Sequence, residues 1–250
     1  MQTAKTRIEL NNRIENFFGH EVDKHVEVSE LIASLTKCAR TYVFGGMLRD
    51  IGLFGTEGFQ SDIDLVFLGD KESLKNTIQK LGNLKYQENK FGGYRIKGLY
   101  WELDIWCAQD TWAIKKGHVE FHDISSLLNT TLMTWDSALY CINDHKLIIK
   151  ENYLDNLVSR KLDIILEENP NRLGSLVKIL RTIYGKKAVS LGPKAAALLI
   201  NTLTADSGAT LMAYEQRSFE NHFINNKNLS LLKQKLSDYS GNGDLSLIHI

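Results

Sequence analysis

Asp62 and Asp64 stand one residue apart in Ser61-Asp62-Ile63-Asp64-Leu65-Val66, a short distance after Gly45-Gly46-Met47-Leu48-Arg49-Asp50. On a strand, residues two apart face the same way, so the two carboxylates project together while Ile63 and Leu65 turn to a core. Carboxylates held this close repel one another unless a cation sits between them. Oxygen-only ligation at such a pair suits Mg²⁺, which keeps waters and substrate phosphates as further ligands. Asp104 is the third candidate, in Trp101-Glu102-Leu103-Asp104-Ile105-Trp106, where Leu103 and Ile105 share the opposite face. Glu102 shares its face and is the rival. If this strand lies beside the one carrying Asp62 and Asp64, three carboxylates converge, enough for two Mg²⁺ ions that bridge attacking and leaving oxygens.

The glycine pair has a separate task. Without Cβ atoms, Gly45 and Gly46 let the backbone approach a phosphate closely and adopt positive φ. The N–H groups opening the following helix then point at the anion. Arg49, one turn in, adds a charged fork to a phosphate oxygen. A phosphate cradle beside a metal site is what a nucleoside triphosphate needs. Each piece also has a plainer reading: a turn for the glycines, a solvated strand edge for Asp62 and Asp64, a surface position for Asp104. The weight lies in their order: strand, glycine pair, helix, acidic strand, hairpin, acidic strand.

Those residues need elements to hold them. Residues 1–40 read as mostly helical, with Ile8, Ile14, Phe17 and Phe18 spaced like one face and Leu31, Ile32 and Leu35 like another. Thr41 to Phe44 reads as a strand, Met47 to Phe54 as a helix, and Ile63 to Leu68 as a strand. An amphipathic helix is expected over 72–81. Tyr94 to Ile96 and Tyr100 to Cys107 read as a hairpin around Lys97-Gly98-Leu99. From Thr130 to Ile142 a strand-rich stretch is expected, then a turn at Asp144-His145 and a returning strand at Leu147 to Ile149. Beyond Asn152 the chain reads as helical: 157–168, 172–184, 194–204, 208–223 and 229–239. Pro170 and Pro193 each sit just before a helical run, where the first turn tolerates proline. The fold class expected is therefore α+β. A helical extension (1–40) precedes a head with a small mixed or antiparallel sheet (41–150), and an all-helical body (151–240) follows.

At 250 residues the chain is long enough for one large domain or two small ones. Lysine and arginine balance aspartate and glutamate at 30 each, so no overall basic field exists to hold a nucleic acid. Any RNA contact must come from a local patch. Cys38, Cys107 and Cys141 form no CxxC pair, which fits a reducing cytoplasm and argues against disulfides or a zinc site. The polar N-terminus is unlike a signal peptide, and no apolar run approaches the roughly 18 residues of a membrane span. Neither a membrane partner nor an oligomeric state is indicated.

Gly45 to Asp50 and Asp62 with Asp64 resemble the head motifs of the bacterial poly(A) polymerase and tRNA CCA-adding enzyme family, within the DNA polymerase beta-like nucleotidyltransferases. The first matches Gly-Gly, two residues and Arg-Asp; the second matches the family's metal strand. Asn89 to Tyr94 is similar to the entry of its next strand, and Lys178 to Ile183 to the arginine-bearing helix opening its neck. The resemblance covers roughly residues 40–185. It implies a cytoplasmic, ATP- or other NTP-using transferase that moves a nucleoside monophosphate to an acceptor hydroxyl, an RNA 3′ end first among them. It implies Asp62, Asp64 and Asp104 as catalytic metal ligands, with Gly45, Gly46, Arg49, Asp50 and Arg181 at the nucleotide. Three features depart from the pattern. Leu128 to Met133 stands where the family carries paired arginines, the base-selecting acidic-and-arginine helix motif has no clear counterpart, and a tRNA-binding body is not evident. A small-molecule or protein acceptor is one rival, and a nucleotide-binding module without catalysis is another.

Lys90, Arg95 and Lys97 with Phe91, Tyr94 and Tyr100 form either a basic-aromatic strip for a nucleobase or a solvated hairpin face. His118 and His122 lack a third zinc ligand. The four tryptophans read as packing, and Arg172 either reaches the triphosphate or faces solvent. The tail Leu245 to Ile250 reads as the in-frame translation of a transposase adapter end, with the natural protein continuing past about Asp244; a natural apolar terminus is the alternative.

Overall fold

Alternating burial sets the strands that matter for the candidate site. The computed structural model describes residues 2–19, 23–59, 62–80, 85–98, 101–204 and 207–248, with the backbone alone over 23–28. Ser61, Leu81, the hairpin positions Leu99 and Tyr100, and His249 and Ile250 of the tail lie outside these residues. Two compact units result: residues 1–131 with 135–158, and residues 132–134 with 159–250.

The first unit contains α1 (Arg7–Gly19), α2 (Asp23–Cys38), β1 (Arg40–Phe44), α3 (Gly46–Phe54), β2 (Ile63–Leu68) and α4 (Lys71–Lys80). It continues with β3 (Lys85–Glu88), β4 (Tyr94–Lys97), β5 (Glu102–Cys107), α5 (Trp112–Lys115), β6 (Ala138–Cys141), β7 (Lys146–Ile149) and α6 (Tyr153–Val158). The strands form one sheet in the order β3-β4-β5-β2-β1-β6-β7. Only β2 and β5 pair in parallel; every other neighbour is antiparallel. Mixed α/β architecture, with helices against a mixed sheet, is what the alternating and helical periods called for.

One sheet face carries Tyr42, Val66, Leu139 and Cys141, packed with Leu127 and Leu128 from the segment ahead of β6. Phe44, Leu68 and Trp106 border this cluster. On the opposite face Val43, Ile63, Leu65, Phe67, Leu103 and Ile105 are buried, and α2, α3 and α4 pack against the sheet. Asp64 and Asp104 thus share the face of Val66 and Trp106.

The segment before β6 departs from the expected strand-rich reading. Residues Ile124–Asn129 and Thr134–Asp136 are 3₁₀ turns, and the strand is confined to Ala138–Cys141. Local side-chain bonds supply the reason. Asp123 caps the first turn through Ser125 N–H, and the Thr130 and Ser137 hydroxyls donate to the carbonyls of Leu127 and Leu128. Such bonds offer the backbone an alternative to a ladder.

The second unit comprises β8 (Lys161–Leu162), α7 (Arg172–Gly185), β9 (Ser190–Leu191), α8 (Pro193–Thr202), α9 (Ser207–Ser218), α10 (Asn226–Ser237) and β10 (Leu245–Ser246). The helix expected over 157–168 is absent. Arg160 adopts a left-handed φ of 56°, which ends the helical run, and Lys161–Leu162 enters a small sheet ordered β10-β9-β8. The helical unit therefore carries three short strands. Asn171 caps α7 through Gly174 N–H, and Pro193 opens α8. Leu245 and Leu247 of the tail are buried there, and Leu247 N–H donates to Val189 C=O at 2.8 Å. Among the described residues no helix is long and apolar enough to cross a membrane.

Candidate active site

Sheet register brings the carboxylates together. In the parallel pair β2/β5, Ile63 lies opposite Leu103 and Asp64 opposite Asp104. Directly opposed residues point to the same face, so Asp64 and Asp104 stand side by side. Asp62, one step before β2, continues the row toward Glu102. On the other side of β5, Arg95 of β4 lies opposite Asp104 and Lys97 opposite Glu102. The face therefore grades from acid on β2 and β5 to base on β4.

Electrostatics follow that order. Arg95 grips Asp104 with both arms of its fork, Nε to Oδ1 at 2.9 Å and Nη2 to Oδ2 at 2.5 Å. The bond to Asp104 raises the guanidinium above its ordinary pKa, against partial desolvation, with Asp62 and Glu102 adding to it. Lys97 Nζ lies 3.3 Å from Glu102 Oε1. Asp62 is raised above the usual carboxylate value, first by desolvation; Arg95 opposes the shift, while Glu102 and Asp104 reinforce it. Crowded like charges are the situation a cation relieves.

The glycine turn lies at the same sheet end. Val43 pairs with Leu65 in the antiparallel β1/β2 ladder, so the chain leaving β1 at Gly45 passes the start of β2, where Asp62 and Asp64 sit. Gly45 has φ 73° and ψ −117°, a conformation costly for any residue with a Cβ. A Cβ on Gly46 would stand 3.4 Å from Arg49 Nη2. Gly45 caps α3 with no side-chain hydrogen bond at the helix start.

Arg49 and Asp50 do not stand at that opening as expected. Both are buried. Arg49 Nε donates to Asp50 Oδ1 at 2.8 Å, and its Nη1 pairs with Asp136. Burial works against the guanidinium charge, but Asp136 and then Asp50 more than offset it, so the group stays charged. A buried arginine must be paired in this way, and these partners turn it inward instead of toward a phosphate. Tyr153 closes the same pocket; burial raises its phenol, with Asp136 adding, and its hydroxyl donates to Trp135 C=O. Asp136 was missed by the sequence reading. A lone aspartate in a segment that looks like a strand carries no signal.

Arg181 lies in α7 of the second unit. Its guanidinium pairs with the buried Glu215 at 2.7 Å, donates to Asn221 C=O, and stacks over Phe219 at 3.9 Å. His118 stacks on Trp112, and His122 lies 3.5 Å from Glu120.

Asp62, Asp64 and Asp104 offer only oxygen donors on one face, the chemistry Mg²⁺ takes. Among the described residues no three His, Cys, Asp or Glu side chains are grouped as they stand to hold one ion. Arg95, on the side of β5 away from β2, engages both Asp104 oxygens. The donor set fits the ion; the present placement of Asp104 serves Arg95.

No protein-family profile matches the chain, and no curated protein does. Solved structures do. A tRNA nucleotidyltransferase complexed with a primer tRNA and an incoming ATP analog is similar at TM-score 0.60 and 17% identity, over 83% of this chain and 60% of that one. A CCA-adding enzyme with CTP gives 0.61 and 16%, over 90% and 55%. The Thermotoga maritima CCA-adding enzyme complexed with tRNA-CCA gives 0.60 and 17%, over 90% and 54%. The chain spans 54–60% of the length of these structures. The likeness is one of fold: the chain shares the architecture of these structures.

Proposed function

We propose that the chain is a Mg²⁺-dependent nucleotidyltransferase that moves a nucleoside monophosphate from an NTP to an acceptor hydroxyl, an RNA 3′ end foremost. The observation that carries this reading is the side-by-side register of Asp64 and Asp104 at the sheet end where Gly45 turns into α3. The fold likeness supports it.

In this reading Asp62, Asp64 and Asp104 hold two Mg²⁺ ions, which when bound neutralise the phosphates and acidify the acceptor hydroxyl. The N–H groups that open α3 from Gly46 onward bind the β- and γ-phosphates, while Gly45, whose N–H donates to Ala138 C=O at 3.0 Å, shapes the corner. Arg49, with Asp50 and Asp136, acts as a positioning residue that holds this turn. Asp104 takes the proton as the acceptor oxygen attacks the α-phosphorus. The bond from that phosphorus to the bridging oxygen breaks, and pyrophosphate leaves. Most of the acceleration comes from positioning and charge neutralisation. Three free cysteines suit the cytoplasm as the proposed compartment.

The zero net charge favours a second reading of the acceptor, a small molecule or protein side chain. Incubation with each α-labelled NTP, Mg²⁺ and total RNA, and in parallel with small hydroxyl acceptors and proteins, separates the two. Label in RNA supports the first reading. Label only in the other arms replaces it with the second, and label nowhere refutes transferase activity.

A further inference from the structure

The acidic and basic rows of the sheet are coupled through one residue. Asp104 lies between Asp64 on β2 and Arg95 on β4. Arg95 uses Nε and Nη2 for the two Asp104 oxygens, so both are committed away from β2. The Arg95 side chain is 47% exposed and that of Asp104 21%, so water can replace either partner when the bond opens. The contrast with Arg49 is sharp: that guanidinium is enclosed with two carboxylates and cannot leave them.

We propose that Arg95 is an exchangeable counter-ion of the carboxylate site. It stands in for a divalent cation at Asp104 and gives up at least one Asp104 oxygen when that cation binds. The inference rests on the reading of Asp62, Asp64 and Asp104 as the cation ligands. A guanidinium cannot lose its charge near neutral pH, so it competes with a divalent ion by displacement only. Its planar fork matches the carboxylate better than a lysine ammonium does. Arg95 is therefore a positioning residue: it sets cation affinity and keeps Asp104 ordered before the cation arrives. The plainer role is a cross-strand ion pair that steadies the hairpin, as Lys97 and Glu102 do one row away.

A double-mutant cycle on the full chain separates these roles, with Mn²⁺ binding read from the free-ion electron paramagnetic resonance signal near neutral pH. Removing the competitor in Arg95→Met tightens Mn²⁺ binding by about two- to five-fold, the range of a partly exposed pair. Asp104→Asn weakens Mn²⁺ binding, and Arg95→Met added to it brings no further tightening. Arg95→Lys, which keeps the charge and loses the fork, lies between wild type and Arg95→Met and serves if the methionine variant does not fold. Equal or weaker Mn²⁺ binding in Arg95→Met, or the same gain with and without Asp104, overturns the proposal. A wild-type chain that binds no Mn²⁺ overturns the carboxylate reading beneath it.

Discussion

Arg49 and Asp136 form an ion pair across 87 residues of chain, with side chains only 6% and 5% exposed. The pair joins the first turn of α3 to the turn ahead of β6, and so fixes the Gly45–Gly46 corner from behind. Asp136→Ala leaves a buried guanidinium with Asp50 alone. Loss of one partner of a buried pair costs about 3 kcal/mol or more. Urea denaturation is expected to report that loss, and an unchanged midpoint would rule out the pair as the brace of this corner.

Gly45 carries its own constraint. With φ at 73°, Gly45→Ala strains the backbone by about 1–3 kcal/mol. The turn must shift to relieve it, and the N–H groups shift with it. Weaker binding of a fluorescent NTP analogue is expected together with the lower stability. A variant that loses stability but binds the analogue as wild type does would separate the corner from the phosphates.

Asp62 shows the cost of partial burial at the site. Its carboxyl is raised above the ordinary value of 3.8, first by desolvation. The folded chain therefore holds this proton more tightly than the unfolded chain does. The stabilising contribution of the protonated form is present below the unfolded pKa and is lost as pH rises through the folded one. At neutral pH without a divalent ion, Asp62→Asn is expected to melt higher than wild type. The gap should close as pH falls through the raised value. Equal melting temperatures at neutral pH would contradict a burial cost for the charged Asp62.

Arg181 belongs to the packing of its own unit. Glu215, 1% exposed, also accepts from the N–H groups of Phe223 and Ile224 and shapes the chain after α9. Arg181→Leu is expected to destabilise that unit by about 3 kcal/mol and to leave nucleotide affinity unchanged. A selective loss of NTP binding, with stability intact, would return Arg181 to the nucleotide.

The strands at the site were legible because alternation is a local signal. Ile63, Leu65, Leu103 and Ile105 turn inward, so Asp64 and Asp104 had to face the other way. Their adjacency was only a condition in the sequence, since strand order is not written in a period of two. Arg95 opposite Asp104 was not legible, because a hairpin turning at Lys97-Gly98-Leu99 sets Arg95 opposite Trp101, whereas the strands pair Lys97 with Glu102. Nor was Asp136, because its partner is remote and its own segment mimics a strand. The two-residue strands Lys161–Leu162, Ser190–Leu191 and Leu245–Ser246 are too short to show any period. The left-handed φ of Arg160 after α6 and the Glu215 bonds to Phe223 and Ile224 N–H after α9 leave no mark in a helical period.

Transfer of an α-labelled nucleotide to RNA by the wild-type chain with Mg²⁺, set beside Asp62→Ala plus Asp64→Ala, tests the central claim most directly. The account predicts label in RNA and pyrophosphate release for the wild type, both abolished by a chelator and by the double variant, whose circular dichroism stays that of the folded chain. Equal transfer by the folded double variant would contradict it.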